Sequence, residues 1–519
     1  MSRQRGLTWY LPGQPSFRLI RHPDNGIVRK VMKRLLFAGL VMNLILASTV
    51  IAETDTLKKA NELELQGQFK KSAAVLDEAV KDTSVSPLEK KRLEFEKDRL
   101  ERIKKDYPQT KDDLFAQLRK AVKGLTREEF DRWVTDGWFD SREIDGEWFF
   151  MGSSESNLFF RHPELSSRRL PLKDSAQFDK ARYQTCVAIK QAALAEHKPY
   201  VLPKRYHVNM SVTAAKDSAP DGEVIHAWIP IPREYPFQNG FELLSTSSTV
   251  KHIDDSQSPI RAIYLEQPAK KGKPSEFKVE YDYTMHGVYF DIKLDEVKAP
   301  DLSDKALKKF TEEAPHIVFT PEIRKLSQEI AGDETNPYLK AKKFYDWIAG
   351  HIQYSYAIEY STIRNISDYC RTKSYGDCGQ EALLFMTLCR LNGIPARWQT
   401  GWNTVPGGKT IHDWCEVNLA PYGWMPVDPY MGIYAMQYAT TLPEQQRQVI
   451  RDFYFGGLDY YRMVANSDHN QTLTPPKESM RSDDVDFQRG ELEWGNHNIY
   501  FDKYKWQLEW KELKTTKVE

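Results

Sequence analysis

The chain has little cysteine and no excess of either charge sign. Its 519 residues include five cysteines, 73 basic and 73 acidic residues, so the net charge is zero. A nucleic-acid-binding protein would be expected to carry a basic face. The sequence has no Cys-x-x-Cys or His-x-x-x-His spacing of the kind used in zinc sites. We therefore expect no metal ion, no cofactor and no nucleic-acid partner.

Long hydrophobic runs are also scarce. An apolar run from Leu35 to Ala47, interrupted at Asn43, is too short to span a bilayer comfortably. It follows Lys33-Arg34 and precedes the small residues of Val50-Ile51-Ala52, which is the arrangement of a secretory signal peptide. No cysteine follows the run, so lipoprotein attachment there is not expected. An uncleaved membrane anchor is the alternative interpretation.

The residues before this signal do not resemble part of it. Residues 1–31 contain arginine, proline and asparagine, and Met32 makes a better start. We predict that 1–52 is an upstream extension and signal peptide, that cleavage follows Ala52, and that the mature protein is periplasmic or secreted. In an oxidising compartment an odd number of cysteines leaves at least one thiol free.

One of the five cysteines lies at the first turn of a predicted helix. Asp377 is placed to cap this helix, an apolar run without helix breakers continues to Leu391, and Asn392-Gly393 ends it. Cys378 would then lie at the positive end of the helix dipole, which favours the ionised, nucleophilic sulfur. We interpret Cys378 as the free thiol and the candidate nucleophile. The alternative is a small buried residue.

A predicted β-hairpin downstream supplies a base and a group to orient it. Thr410 to Leu419 and Trp424 to Asp428 each have the pattern of a strand, and a turn separates them. If the hairpin is centred near Ala420, His412 lies opposite Asp428. Opposed side chains are about 5 Å apart at Cβ, close enough for an imidazole–carboxylate hydrogen bond. The predicted catalytic constellation is Cys378, His412 and Asp428.

Four blocks of sequence carry a resemblance to a known family: Tyr375 to Cys378, Leu391 to Arg397, Ile411 to Val417, and Gly423 to Pro429. In order and spacing they resemble the core of the bacterial transglutaminase-like superfamily. The resemblance implies a papain-like core in which Cys378 is the nucleophile, His412 the general base and Asp428 the orienting group. Gly379 departs from the pattern, since relatives often have threonine there. No segment resembles the calcium-binding loops of animal transglutaminases.

Other residues near these blocks have less specific interpretations. The Cys378 backbone N–H is one candidate donor for an oxyanion, and Tyr354 is a second. Arg397 is expected to form a structural ion pair. Three tryptophans are expected to be core or cleft-wall residues rather than ligands: Trp402, Trp414 and Trp424.

Sequence patterns in the rest of the chain predict an α+β protein with a helical, a β-rich, a catalytic and a C-terminal region. Residues 53–200 have mainly helical patterns, and 201–300 have the period-two pattern of a β-sandwich-like domain. The transglutaminase-like catalytic core is predicted over 301–442. The C-terminal tail, 443–519, is expected to pack on the core.

The candidate site predicts chemistry on an amide bond. A thiolate attacks the carbonyl, the amine leaves with a proton from His412, and a thioester remains. Water would make the protein a peptidase or amidase, and an amine would make it a crosslinking glutamine γ-glutamyltransferase. We favour hydrolysis of a peptide or protein substrate. A non-catalytic peptide- or glycan-binding module is the competing class. A third interpretation, in which the helical and sandwich regions bring the enzyme to a cell-envelope or glycan partner, is compatible with the enzyme.

Overall fold

A computed structural model describes residues 54–170, 175–405 and 410–514. The chain divides into a short N-terminal unit, Met1–Lys58, and a second unit, Lys59–Glu519. The predicted signal peptide and its cleavage site after Ala52 lie outside the described residues. Within the described ranges, no helix is both long and apolar enough to cross a membrane.

The first part of the structure is mainly helical, as the sequence patterns predict. Its helices are α1 (Asp55–Leu65), α2 (Phe69–Lys81), α3 (Pro87–Asp106), α4 (Lys111–Ala121), α5 (Arg127–Thr135), α6 (Ser154–Arg161) and α7 (Ala176–Glu196). A hairpin of β1 (Ser141–Ile144) and β2 (Glu147–Phe150) separates α5 from α6. Apolar residues of α4, α5, α6 and the hairpin form a small core of their own.

A β-sandwich of two antiparallel sheets follows. Its first strands are β3 (Tyr200–Ala214), β4 (Val224–Pro230), β5 (Gln238–Thr246), β6 (Val250–Ile253), β7 (Ala262–Pro268) and β8 (Ser275–Tyr289). β8 pairs with β3 and β5, whereas β7 pairs with β4 and β6. Alternate residues of β8 are buried from Phe277 to Met285. The period-two pattern therefore corresponds to one face packed in the sandwich core.

The core that follows combines helices with a four-stranded sheet. Its helices are α8 (Lys305–Lys308), α9 (Pro321–Ala331), α10 (Pro337–His351), α11 (Ile366–Lys373), α12 (Cys378–Leu391) and α13 (Pro429–Ile433). Its strands are β9 (Gln353–Tyr354), β10 (Tyr375–Gly376), β11 (Ala396–Asn403), β12 (Thr410–Leu419) and β13 (Gly423–Val427). Every residue of α12 from Gly379 to Arg390 is buried. Such a helix is held by packing on all sides, and it contacts both β11 and β12.

The C-terminal tail is built into the sheets. It contains α14 (Glu444–Phe453), β14 (Gly457–Leu458), β15 (Arg462–Asn466), β16 (Glu491–Trp494), β17 (His497–Ile499) and β18 (Tyr504–Leu513). β15 extends the core sheet beside β11, which brings part of the tail onto the core. β16 pairs with β4 and β18 runs along β3, so other tail strands complete both sandwich sheets.

Candidate active site

Cys378 begins α12, and Asp377 caps that helix as predicted. The Asp377 side chain accepts a hydrogen bond from the Gln380 N–H at 3.2 Å, and the Gln380 side chain accepts one from the Asp377 N–H at 3.3 Å. This reciprocal capping box fixes the first turn of the helix. All five cysteines are free thiols, and Cys378 is half-buried whereas the other four are buried. Cys378 is therefore the cysteine most open to a substrate.

The predicted hydrogen bond between His412 and Asp428 is present. His412 Nε2 lies 2.8 Å from Asp428 Oδ2, and the two side chains expose 3% and 0% of their surface. The other carboxylate oxygen accepts a hydrogen bond from the Met431 N–H at 3.1 Å, which caps α13. Because both of its oxygens are engaged, the carboxylate is held in one orientation toward the imidazole.

The hairpin that carries this pair has a different register from the predicted one. Leu419 pairs with Gly423, so the turn is centred on Pro421 rather than on Ala420. By extension of this register Asp428 aligns with Trp414. The prediction that His412 and Asp428 are directly opposed is therefore wrong. They meet across a diagonal, which the length of the imidazole ring can span.

A buried arginine also contacts Asp428, and no local sequence pattern predicts this contact. Arg462 Nη1 lies 2.9 Å from Asp428 Oδ2, and its Nε donates to Asp459 Oδ2 at 3.0 Å. Burial would raise the pKa of Asp428, but His412 and Arg462 outweigh it and hold that pKa below its usual value. Arg462 lies on β15, which pairs with β11 of the core sheet. Local periodicity in the sequence does not show which strands pair.

The sulfur of Cys378 contacts the residue next to His412. Cys378 Sγ lies 3.6 Å from Asp413 Oδ2, to which the thiol donates. Within 54–170, 175–405 and 410–514, no hydrogen bond joins Cys378 to His412. The ring of Tyr430 packs against His412, with 5.3 Å between ring centroids. The structure thus pairs His412 with Asp428 and brings Cys378 to the same strand, one residue away.

A family model matches the part of the chain that carries Cys378, His412 and Asp428. Residues 324–429 match the family model of the transglutaminase-like superfamily. This segment is a transglutaminase-like core. A search of curated protein sequences found no match to the chain.

Three solved structures are similar to part of the chain. A Cytophaga hutchinsonii protein, provisionally described as a cysteine protease, is 14% identical, with 61% of this chain and 93% of that chain covered and a TM-score of 0.40. The periplasmic domain of TgpA from Pseudomonas aeruginosa is 14% identical, covers 47% of this chain and 98% of that domain, and has a TM-score of 0.24. A Parabacteroides distasonis protein, provisionally described as a protease, is 16% identical over 41% of each chain, with a TM-score of 0.19.

Asp413 is a second carboxyl group in the transglutaminase-like core. It accepts hydrogen bonds from Gln488 Nε2 at 2.6 Å, from the Tyr360 hydroxyl at 3.4 Å and from the Thr400 hydroxyl. Burial is the main cause that raises the pKa of Asp413 to about 8. Asp413 lies in the predicted strand beside His412, but its sequence gives no sign that its side chain faces Cys378.

The network around Asp413 explains the glycine that departs from the family pattern. A Cβ atom on Gly379 would lie 2.2 Å from the Tyr360 hydroxyl and 2.8 Å from Asp413 Oδ2. Both distances are far below a van der Waals contact. Asp413 and Tyr360 can therefore pack against the first turn of α12 because residue 379 has no side chain.

The surroundings of Cys378 oppose the thiolate that the sequence predicts. Burial raises the pKa of Cys378 well above its ordinary value, and the carboxylates of Asp413 and Asp377 raise it further. The prediction of a readily ionised thiol is wrong, because burial among carboxylates outweighs the helix dipole. Burial also lowers the pKa of His412. The resting pair is thus a thiol and a neutral imidazole.

A cavity of about 270 Å³ opens beside Cys378. Tyr354 lines it, because the parallel pair of β9 and β10 sets Tyr354 beside Gly376. Burial raises the pKa of the Tyr354 phenol, so this group keeps its proton and can donate a hydrogen bond. The Cys378 N–H, at the first position of α12, has no acceptor within its own helix. Both predicted oxyanion donors therefore remain candidates.

The residues that the sequence assigned to structure have structural contacts. Arg397 donates to Glu416 at 2.6 Å and lies 4.1 Å from the ring centroid of Trp424. The predicted structural ion pair of Arg397 is confirmed. Trp402 and Trp414 are buried in the core that joins the sandwich to the sheet of β11 and β12.

Proposed function

We propose that this protein is an exported cysteine enzyme that cleaves an amide bond through Cys378, His412 and Asp428. The observation that supports it is the buried His412–Asp428 hydrogen bond on the strand that meets the first turn of Cys378's helix. Nucleophilic catalysis needs a nucleophile that the substrate can reach and a base that takes its proton. Cys378 lies at a cavity, and His412 is held in place by the Asp428 carboxylate.

The proposed reaction begins from a neutral pair. As the sulfur attacks the substrate carbonyl carbon, the thiol proton passes to His412, and the oxyanion is stabilised by hydrogen-bond donors at the cavity. The C–N bond then breaks, and the amine leaves with the proton from His412. His412 next takes a proton from water, whose oxygen displaces the sulfur from the thioester, and then returns that proton to the departing thiolate of Cys378. The products are a carboxylic acid, an amine and the restored thiol.

Hydrolysis is favoured over transfer because water is in excess outside the cell. An amine in place of water would give crosslinking by the same steps. The products separate the two: a peptide substrate mixed with a labelled primary amine yields free acid in one case and the labelled amide in the other. A protein that binds peptides but leaves them intact would instead be a binding module.

Export is the second part of the proposal, and it rests on the sequence from Lys33 to Ala52. Expression of the full-length gene followed by mass spectrometry of the exported fraction tests it. We expect the N-terminus to be Glu53. Recovery of residues 1–31 on the exported protein would contradict both the cleavage site and the start at Met32.

A further inference from the structure

Acidic side chains are the largest group in the lining of the cavity beside Cys378. Their carboxyl groups come from five separate parts of the chain: Asp106, Glu359, Asp377, Asp413, and Asp483 with Asp486. Among the described residues of the lining, Arg489 is the only cation, and it lies 3.5 Å from Glu359 and 4.0 Å from Asp486. Among these residues the acidic groups therefore outnumber the cation six to one.

Two buried side chains at this cavity each keep an acceptor oxygen that has no hydrogen-bond partner among the residues that the structure describes. Asp483 exposes 2% of its surface, and its Oδ1 accepts from the Val485 and Asp486 N–H groups, but its Oδ2 has no hydrogen bond. Gln488 exposes 1%, and its Nε2 donates to Asp413, which leaves Oε1 unpaired. Buried acceptors are rarely left unsatisfied unless something else supplies a donor.

Aromatic rings complete the lining. Tyr354, Tyr356 and Tyr360 all contribute to the cavity, and Tyr356 is 47% exposed. Carboxylates beside aromatic faces form a favourable environment for an ammonium or guanidinium group. Within the described residues, no three acidic, histidine or cysteine side chains are arranged to hold a metal ion. The lining therefore suits an organic cation better.

We propose that this cavity binds a positively charged side chain, lysine or arginine, of the peptide substrate. The inference rests on the proposed function, because it assigns the residue that lies beside the bond attacked by Cys378. The unpaired oxygens of Asp483 and Gln488 accept hydrogen bonds from the cation. Lining acids that are protonated at neutral pH release their protons beside the cation and supply its counter-charge.

Binding to the Cys378→Ala variant of the full chain tests the inference without turnover. The probes are acetylated peptide amides that are identical except for lysine, arginine or norleucine at one position, which is scanned along the peptide. We expect a position where lysine or arginine binds at least about tenfold more tightly than norleucine. Equal affinities at every position would overturn the inference.

Two substitutions in the same background locate the effect. Asp483→Asn keeps one oxygen that accepts from the Val485 and Asp486 N–H groups and replaces the unpaired oxygen with an NH2 group. The preference for the cation should therefore fall several-fold. Glu359→Gln should do the same if Asp483→Asn fails to fold. Glu128→Gln, an exposed change on α5, is the control and should leave the preference intact. A preference unchanged in both cavity variants would overturn the assignment of this cavity.

Turnover of the same peptides by the unsubstituted protein separates this inference from the proposed function. Cleavage without any preference for a cation would overturn the inference alone. Preferential binding without cleavage would support the cavity assignment and contradict the proposed chemistry.

Discussion

Asp413 and Arg462 show that single residues outside the predicted triad set the charge state of the site. Asp413 faces the sulfur of Cys378 and raises its pKa, whereas Arg462 faces Asp428 and lowers its pKa. One carboxyl group opposes thiolate formation, and the other stays ionised to support the imidazole. The reactivity of the site is thus determined by neighbours as much as by the three proposed catalytic residues.

Asp413→Asn should make the thiol of Cys378 easier to ionise above about pH 8, because Asp413 is ionised there and the change removes a negative charge 3.6 Å from the sulfur. We expect the pH profile of Cys378 alkylation by iodoacetamide to move to lower pH, as followed by peptide mapping. Glu128→Gln removes a distant charge and should leave the profile in place. An unchanged profile in Asp413→Asn would show that Asp413 does not act on the sulfur.

Arg462→Met should affect both stability and the pH dependence of activity. Breaking a buried ion pair typically costs about 3–5 kcal/mol, so thermal unfolding should begin at a lower temperature. Arg462 also lowers the pKa of His412, so its loss should raise that pKa and move the acidic limb of kcat/KM to higher pH. Arg462→Lys, which keeps the charge, should show a smaller shift. A loss of stability without any change in the acidic limb would contradict the electrostatic role.

The proximity of His412 and Asp428 and the place of Cys378 at a helix start could be predicted from the sequence, whereas the neighbours Asp413 and Arg462 could not. Cys378, His412 and Asp428 occur in sequence blocks with a helix start and a strand pattern. The side chains of His412 and Asp413 are neighbours on β12 and point to opposite faces of the sheet. Whether Asp413 faces Cys378 therefore depends on which face packs against α12. Arg462 reaches Asp428 from a strand that joins the core through long-range pairing.

Among the secondary-structure elements, α12 was the most predictable because its cap, apolar run and stop signal are all local. The hairpin was correct in its strands but wrong in its register, since the pairing of Leu419 with Gly423 depends on the turn. The tail strand β18 could be recognised as a strand from its alternating pattern. Its partner β3 is far away in the sequence, and local periodicity does not identify such a partner.

Gly379→Ala tests how closely the start of α12 fits its surroundings. The added Cβ would meet Tyr360 and Asp413 at distances that require one of them to move, so we expect a large loss of kcat/KM. Gly350→Ala on α10 is the matched control, because nothing lies within 4 Å of its added Cβ. Alanine is a better helix former than glycine, so the control should be neutral or stabilising. Equal effects of the two changes in both activity and thermal unfolding would contradict the close fit.

For the whole molecule, several buried acids make stability depend on pH. Burial is the main cause that raises the pKa of Asp106 to about 7 and of Asp377 to about 6, besides that of Asp413 to about 8. The folded protein therefore binds more protons than the unfolded chain between about pH 4 and pH 8. In this window these groups stabilise the fold as the pH falls.

Thermal unfolding should consequently occur at a higher temperature at pH 6 than at pH 8. His412 opposes this trend, because burial lowers its pKa and its protonation favours unfolding. Acids with lowered pKa values, such as Glu491 at about 2, contribute their pH dependence below this window. Asp413→Asn should reduce the difference between the two pH values. A lower unfolding temperature at pH 6 would contradict the account of the acid-lined cavity.

The central claim is that Cys378 attacks the substrate with His412 as its base, and a covalent intermediate tests it most directly. Rapid acid quenching during turnover of a peptide amide, followed by intact-protein mass spectrometry and peptide mapping, would locate an acyl group. We predict a thioester on Cys378 in the unsubstituted protein and no acyl adduct or turnover in Cys378→Ala or His412→Ala. Turnover in Cys378→Ala, or an acyl group on a different residue, would contradict the account.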